Sequence, residues 1–319
     1  MKRALVLSGG GAKGAFQFGA IKFVYEQFKP TTPNSMFNII AGVSVGSLNG
    51  AMLAQDKLKE LEELWNSISS EKIYRGKLST LYAIWKIIFK KRSLLSNQPL
   101  KKIVGENIKL SEFKLEKYDF RFGAVSLISG EYHSFKTSDF NDDESLQQAI
   151  LASTSIPIVW EPVEKIKTKD GNSYEQLVDG GVRNINPLGD ILDENPDEIV
   201  IINCNQENSS PDPTSGKNIL TIAKRSLTDI SINEIFKSDM AEFLKMNMII
   251  SQLPQGVEIK KSSGKPYKKY KAIVIQPEDD MGDPLDFSPS MTQLRIKHGY
   301  EMAKKVYEGI TTKNYAELI

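Results

Sequence analysis

Two glycine-rich turns, each set between an apolar run and a helical pattern, fall within the first fifty residues. Ala4–Leu7 reads as a short buried strand, Gly9-Gly10-Gly11-Ala12-Lys13-Gly14 follows it, and a helical pattern runs from about Ala15 to Phe28. Phe37–Ala41 reads as a second strand, passing through Gly42 into a helix from about Val45 to Ala54. Strand, helix, strand and helix in so short a stretch imply parallel β-α-β units, with helices covering both faces of a sheet.

The rest of the chain extends this pattern. Helices are expected at Leu58–Ser70 and Leu78–Phe89, a strand at Phe120–Leu127, and a turn at Gly130 into a second strand, Tyr132–Phe135. Leu146–Ala152 reads as a helix, Gln176–Val178 as a strand ending at Asp179, and Glu198–Asn203 as a buried strand. Asn205–Lys217, with two Pro, three Ser and a Gly, is the clearest loop. Beyond it come a long helical pattern (Ile219–Leu253), a strand at Lys271–Gln276 and a last helix around Ser290–Tyr307. A chain of 319 residues suits two domains or one large α/β domain. Because a strand resumes after the loop, the expectation is one domain over 1–319. Its motif-bearing core covers about 4–190, and a C-terminal part, 205–319, packs on the same domain.

Composition removes several function classes. Lys plus Arg total 41 against 40 Asp plus Glu, a net charge of +1, which argues against a nucleic-acid binder. Cys204 is the one cysteine, so neither an intrachain disulfide nor a thiolate metal cluster can form. No apolar run approaches the ~18–20 residues of a membrane span. Lys2 and Arg3 precede only four apolar residues before Ser8 and the glycines, which reads as a strand of the mature protein and not a secretory signal. The expected location is cytoplasmic.

Consecutive glycines at a helix N-terminus let backbone N–H groups converge on an anion: a cofactor pyrophosphate, a nucleotide phosphate or a developing oxyanion. A dinucleotide site would want a carboxylate at the end of the next strand, where Ala41-Gly42-Val43-Ser44 stands instead. A P-loop would want Lys-Ser or Lys-Thr, but Ala15-Phe16 follow Gly14. Alone, the loop suits a tight β-α turn as well as an anion cradle. Gly42-Val43-Ser44-Val45-Gly46 has the form of a nucleophile elbow, a serine on a sharp strand-to-helix turn flanked by small residues. Ser47 is near, but the elbow geometry favours Ser44. A serine nucleophile needs a base, and only His133 and His298 are available as histidines. His133 lies in the hairpin among polar residues, and His298 sits in the last helix beside Lys297. The order Ser44, Asp179, His298 suits an α/β-hydrolase triad, yet only one strand precedes the elbow where such enzymes place several. Asp179-Gly180-Gly181 at a strand end is, by itself, an ordinary turn signal.

Taken together in this order, the glycine loop, the elbow serine and the strand-end Asp-Gly-Gly resemble the patatin-like phospholipases, which use a Ser-Asp dyad and no histidine. The resemblance runs from about Ala4 to Pro187 and includes Ala152-Ser153-Thr154-Ser155-Ile156-Pro157, while the chain beyond Asn205 is less distinctive. It implies a three-layer α/β/α sandwich with a mostly parallel sheet. It also implies lipid acyl hydrolysis, with Ser44 as nucleophile and Asp179 as the group that accepts and returns its proton. Backbone amides around Gly10, Gly11 and Ala12 would hold the oxyanion, and Gly9, Gly14, Gly42, Gly46, Gly180 and Gly181 would support the motifs. Neither a metal nor a cofactor is called for. A carboxylate with a reference pKa of ~3.9 is a poor base for serine, so Asp179 is expected to be partly buried and raised. Lys13 would either add positive charge near the loop or stand in solvent. Two alternatives stay open: a non-catalytic anion- or nucleotide-binding β-α-β protein, and a Ser-Asp-His triad esterase for small soluble esters.

The partner expected from the resemblance is a phospholipid or other acyl-ester lipid. Lys86, Lys90, Lys91 and Arg92 lie beside Trp85, Ile87, Ile88 and Phe89, and six lysines between Lys260 and Lys271 accompany Tyr267 and Tyr270. Cations interleaved with aromatics suit peripheral contact with an anionic membrane, the alternative being two solvated faces.

Overall fold

Apolar side chains alternate along the central strands, and the alternation sorts them into two cores. In β1 (Arg3–Leu7), β2 (Ile39–Val43) and β7 (Glu198–Ile202), Leu5, Leu7, Ile40, Val200 and Ile202 face one helical layer. Ala4, Val6, Ile39, Ala41, Val43, Ile199 and Ile201 face the other. With both faces covered, such strands read as unbroken apolar runs. Each fully buried Leu, Ile or Val contributes about 1.5–3 kcal/mol relative to exposure.

The computed structural model describes residues 1–27, 36–76, 79, 82, 86, 88–206, 211–261 and 263–309. The remaining strands are β3 (Asp119–Ser126), β4 (Tyr132–Lys136), β5 (Val163–Lys167), β6 (Ser173–Asp179) and β8 (Lys271–Ile275). The parallel body runs β3-β2-β1-β7-β8, with β4 and β6 antiparallel to β3 and β5 antiparallel to β6. Val43 at the end of β2 lies opposite Gly123, and Asp179 at the end of β6 lies opposite Ala124. On one face α1 (Gly14–Gln27) and α2 (Val45–Ala54) cover the sheet, and helix Pro289–Tyr307 in turn covers α1. The α1–Pro289–Tyr307 crossing is close: a Cβ on Gly19 would stand 1.9 Å from the Ile296 carbonyl oxygen, and one on Gly299 2.0 Å from that of Phe16. On the other face helix Ser231–Gln252 contributes Phe236, Met240 and Phe243.

This is the layered, mostly parallel α/β architecture expected. Several details differ. The helix begun at Leu58 stops at Ser67, where Ile68 turns extended, and a separate turn follows at Ser70–Ile73. The helix expected over Leu78–Phe89 falls largely outside the described residues. The pattern over Ile219–Leu253 divides into Ile219–Lys224, a π turn at Arg225–Ile230 and Ser231–Gln252. Helix Gln98–Asn107 and strand β5 were not among the expected elements. After the loop, β8 pairs with β7 in the same sheet, Lys271 opposite Glu198.

Candidate active site

Ser44 is the junction between β2 and α2, at φ 56 and ψ −128. A left-handed φ on a residue with a side chain costs about 1–3 kcal/mol and persists only where its surroundings over-determine it. Here they do. The Ser44 N–H donates to Ser153 Oγ at 3.0 Å, and the Ser44 carbonyl accepts from the Ser47 N–H at 2.9 Å and the Ser47 hydroxyl at 2.6 Å. The sharp exit also requires glycine on both sides: a Cβ on Gly42 would stand 2.2 Å from the Gly46 oxygen, and one on Gly46 2.3 Å from the Leu7 oxygen. Ser47, fully buried and bonded to the turn, is a brace and not a rival nucleophile.

Asp179 ends β6 and caps the turn Gly180–Val182, accepting the Gly181 N–H at 2.7 Å. Its own N–H donates to the Ser155 carbonyl at 2.9 Å. The Ser44 side chain lies near enough to its carboxyl group to favour the charged form. Burial pushes the Asp179 carboxyl up to about 7, and the nearby Ser44 side chain and the Gly181 N–H partly oppose that rise. The structure thus brings together the elbow serine and the Asp-Gly-Gly motif. It also shows what holds them. Segment Ser153–Ser155 supports both, Ser153 through its side chain and Ser155 through its backbone.

The glycine loop lies against the serine: a Cβ on Gly9 would stand 3.2 Å from Ser44 Cβ. Of the three amides named from the sequence, Ala12 donates its N–H to the Pro284 carbonyl at 2.7 Å, while those of Gly10 and Gly11 donate to no described residue. Lys13 is not the solvated lysine of one expectation. Its ammonium donates to Asn205 Oδ1 at 3.0 Å, and burial lowers its pKa.

A cavity of about 800 Å³ opens onto Ser44 and Gly11 and runs between Leu48, Met52, Leu61 and Ile103, with Phe287 on its wall. That volume lies in the range of ligand pockets, ~300–1,000 Å³. Lys72, Arg75 and Lys102, with Glu71 and Glu106, stand at its exposed edge. Behind the wall runs a buried polar chain. Trp65 Nε1 donates to Asn49 Oδ1 at 3.0 Å, Asn49 Nδ2 to Gln17 Oε1 at 3.0 Å, and Gln17 Nε2 to the Ser8 carbonyl at 2.7 Å. Gln17 and Asn49, polar residues inside otherwise apolar helical patterns, were the sequence signal for it.

The histidines stand apart from this chemistry. His133 packs edge-on against Tyr174, ring centroids 4.8 Å apart. His298 packs on Phe16 at 5.6 Å, and burial lowers its pKa. Neither hydrogen-bonds to Ser44 or Asp179 among the described residues. No group of three His, Cys, Asp or Glu side chains converges as metal ligands would, again among the described residues.

The patatin-like phospholipase family model matches residues 5–192. Among solved structures, VipD from Legionella pneumophila aligns with a TM-score of 0.50 at 15% identity, over 97% of this chain and 67% of that one. The type III effector protein ExoU aligns with a TM-score of 0.41 at 12% identity, over 96% of this chain and 52% of that one. At such identity the likeness to VipD is one of fold. No curated protein matches the sequence.

Proposed function

The chain belongs to the patatin-like phospholipase family, and on that basis we propose that it is a serine lipid acyl hydrolase working through a Ser44–Asp179 dyad and an acyl-enzyme. Ser44 Oγ attacks the ester carbonyl as Asp179 takes its proton. The tetrahedral oxyanion collapses with loss of the alcohol, which receives that proton. Water then attacks the acyl-Ser44 ester, Asp179 again taking the proton and returning it to Ser44 Oγ as the fatty acid leaves. Gly10 and Gly11 are the amides offered to the oxyanion, Ala12 being already engaged. A preorganised donor of this kind is typically worth about 3 kcal/mol.

The observation that carries the reading is the Ser44 side chain set against the buried Asp179 carboxyl, a group raised to about 7 and so matched to neutral conditions. The apolar cavity beside Ser44 suits an acyl chain. A triad esterase is less well supported, because His298 is held on Phe16. A purely anion-binding protein would have no use for the left-handed backbone at Ser44. The test is labelling with a fluorophosphonate followed by mapping of the modified residue. Adduct on Ser44 is expected, and a folded protein that takes no label there would remove the proposal.

The proposal includes a single domain over 1–319 and peripheral contact with a lipid surface from the cytoplasmic side. Among the described residues no helix is long and apolar enough to cross a membrane. Exposed Ile88 and Phe89 stand beside Lys90 and Lys91, the contact offered. Arg92 is engaged by Glu164 and Gln176. Four of the six lysines in the second basic run are engaged elsewhere. Lys261 is buried and donates to Leu192 O and Tyr270 Oη, Lys265 donates to Asp193 O, and Lys268 and Lys271 pair with Asp197 and Glu198. Those partners line the N-terminal end of β7, the opposite end of the parallel strands from Ser44.

A further inference from the structure

Arg295 is fully buried, and its guanidinium spends its donors on backbone. Nε donates to Met281 O at 2.9 Å, one Nη to Met281 O at 2.7 Å and Asp283 O at 2.9 Å, and the other Nη to Asp286 O at 2.6 Å. All are carbonyl oxygens of one short segment. An apolar side chain would fill this space without the desolvation cost of a buried cation, so the fork of donors is the property in use.

The segment so gripped is the one that shapes the glycine loop. Pro284 O accepts the Ala12 N–H, and it sits 2.3 Å from where a Cβ on Gly11 would be, so the turn Gly11–Lys13 is moulded on this carbonyl. Gly11 reaches its φ of 57 under that contact. Leu285 O accepts the Tyr74 hydroxyl at 3.2 Å, and Phe287 walls the cavity beside Ser44. Helix Pro289–Tyr307, which carries Arg295, is itself fixed on α1 by the Gly19 and Gly299 contacts. The family match ends at residue 192, well before this strap.

We infer that Arg295 is a positioning residue for the oxyanion loop: through the segment Met281–Asp286 it holds the Pro284 carbonyl on Ala12, and so aims the Gly10 and Gly11 amides at the developing charge. The inference rests on the dyad reading above. With the grip gone, Ala12 is released, the turn relaxes and the donors lose their aim, while the cavity walls at Leu48, Met52, Leu61 and Ile103, away from this segment, stay as they are.

The experiment measures turnover of a soluble chromogenic ester and the rate of Ser44 labelling by a fluorophosphonate, on wild type, Arg295→Lys and Gly282→Ala. Lysine keeps the charge and loses the fork. Gly282, exposed at φ 72, distorts the strap when given a side chain and leaves the guanidinium in place. Expected are a kcat ten- to about a hundredfold lower for Arg295→Lys, a smaller fall for Gly282→Ala, KM within about twofold, and labelling rates falling in step with kcat. Should Arg295→Lys fail to fold, Gly282→Ala carries the test. Folded variants with wild-type kcat would overturn the inference, as would losses that vanish once activity is expressed per folded molecule. A wild type that takes no label would instead strike the dyad reading.

Discussion

Ser44 and Asp179 meet because the strands delivering them run toward each other along one edge of β3. β4 occupies the other edge from Arg121 to Val125, so β2, which covers β3 as far as Gly123, and β6, which begins at Ala124, must share the remaining one. One strand ends in Val43 and the other in Asp179, and their partners on β3 are consecutive residues, one step of about 3.3 Å along the strand. The residue that follows β2 is the serine. A carboxylate brought this close can bond the hydroxyl itself, with no imidazole between them.

Ser44→Ala and Asp179→Asn should each lower kcat on a short-chain ester by at least about a thousandfold, and the double variant should be little worse. Circular dichroism must match wild type for the comparison to count. Appreciable turnover by either folded variant would rule out the dyad.

With the Asp179 carboxyl raised to about 7, the base is protonated and idle below that pH. The rate kcat/KM should therefore climb as pH rises through about 7. A histidine would give a similar limb, so the profile is repeated on the His133→Ala, His298→Ala double variant. The same limb and most of the activity should remain. A limb that disappears with the histidines would restore the triad alternative.

The same burial has a thermodynamic sign. Asp179 in the folded state holds its proton up to about 7, whereas the unfolded chain releases it near 3.8, so the folded state binds more protons in between. Stability contributed at this site is full below about 4 and is lost as pH rises to about 7, by up to roughly 4 kcal/mol. Asp179→Asn should accordingly gain on wild type in denaturant melts at pH 8 compared with pH 4. An equal difference at both pH values would mean the carboxyl is not raised.

Ser153→Ala removes the acceptor of the Ser44 N–H inside the protein. An orphaned buried donor costs about 1–3 kcal/mol. A fall in melting temperature is expected, with kcat down about tenfold as the elbow loosens. Unchanged stability and unchanged kcat together would show that Ser153 holds nothing.

Lys90→Gln with Lys91→Gln should weaken binding to anionic vesicles at least about tenfold at low salt, at ~1 kcal/mol per cation, and leave soluble-ester turnover intact. Lys265→Gln with Lys268→Gln, whose ammonium groups face Asp193 O and Asp197, should bind as wild type does. Co-sedimentation at two salt concentrations reads both. A larger loss from the second pair would move the contact to the other end of the sheet.

The central strands were legible because their apolar content leaves few other fates, and their observed limits lie within about two residues of those expected. Ser44 and Asp179 were legible through the order of three motifs, each common by itself. Helix Gln98–Asn107 announced itself by Pro99 in its first turn and by Leu100, Ile103 and Val104 at helical spacing. Strand β5 gave little notice, since only Ile166 of its five residues is buried. The role of Pro284 could not have been read at all: it acts through a carbonyl, which every residue possesses. Arg295 likewise looks like any helical arginine until the carbonyls around it are seen.

The close seating of helix Pro289–Tyr307 on α1 also sets an order of events during synthesis. β1 precedes the other strands of this sheet along the chain, yet it lies between β2 and β7 at the centre of the sheet, and α1 waits longer still for Gly299 to meet Phe16. Contacts of such sequence separation form late. A ribosome-bound chain would therefore carry Ser44 and Asp179 well before the strap that moulds the turn at Gly11, and under the positioning role inferred for Arg295 the full rate would be reached only after that residue has emerged and docked.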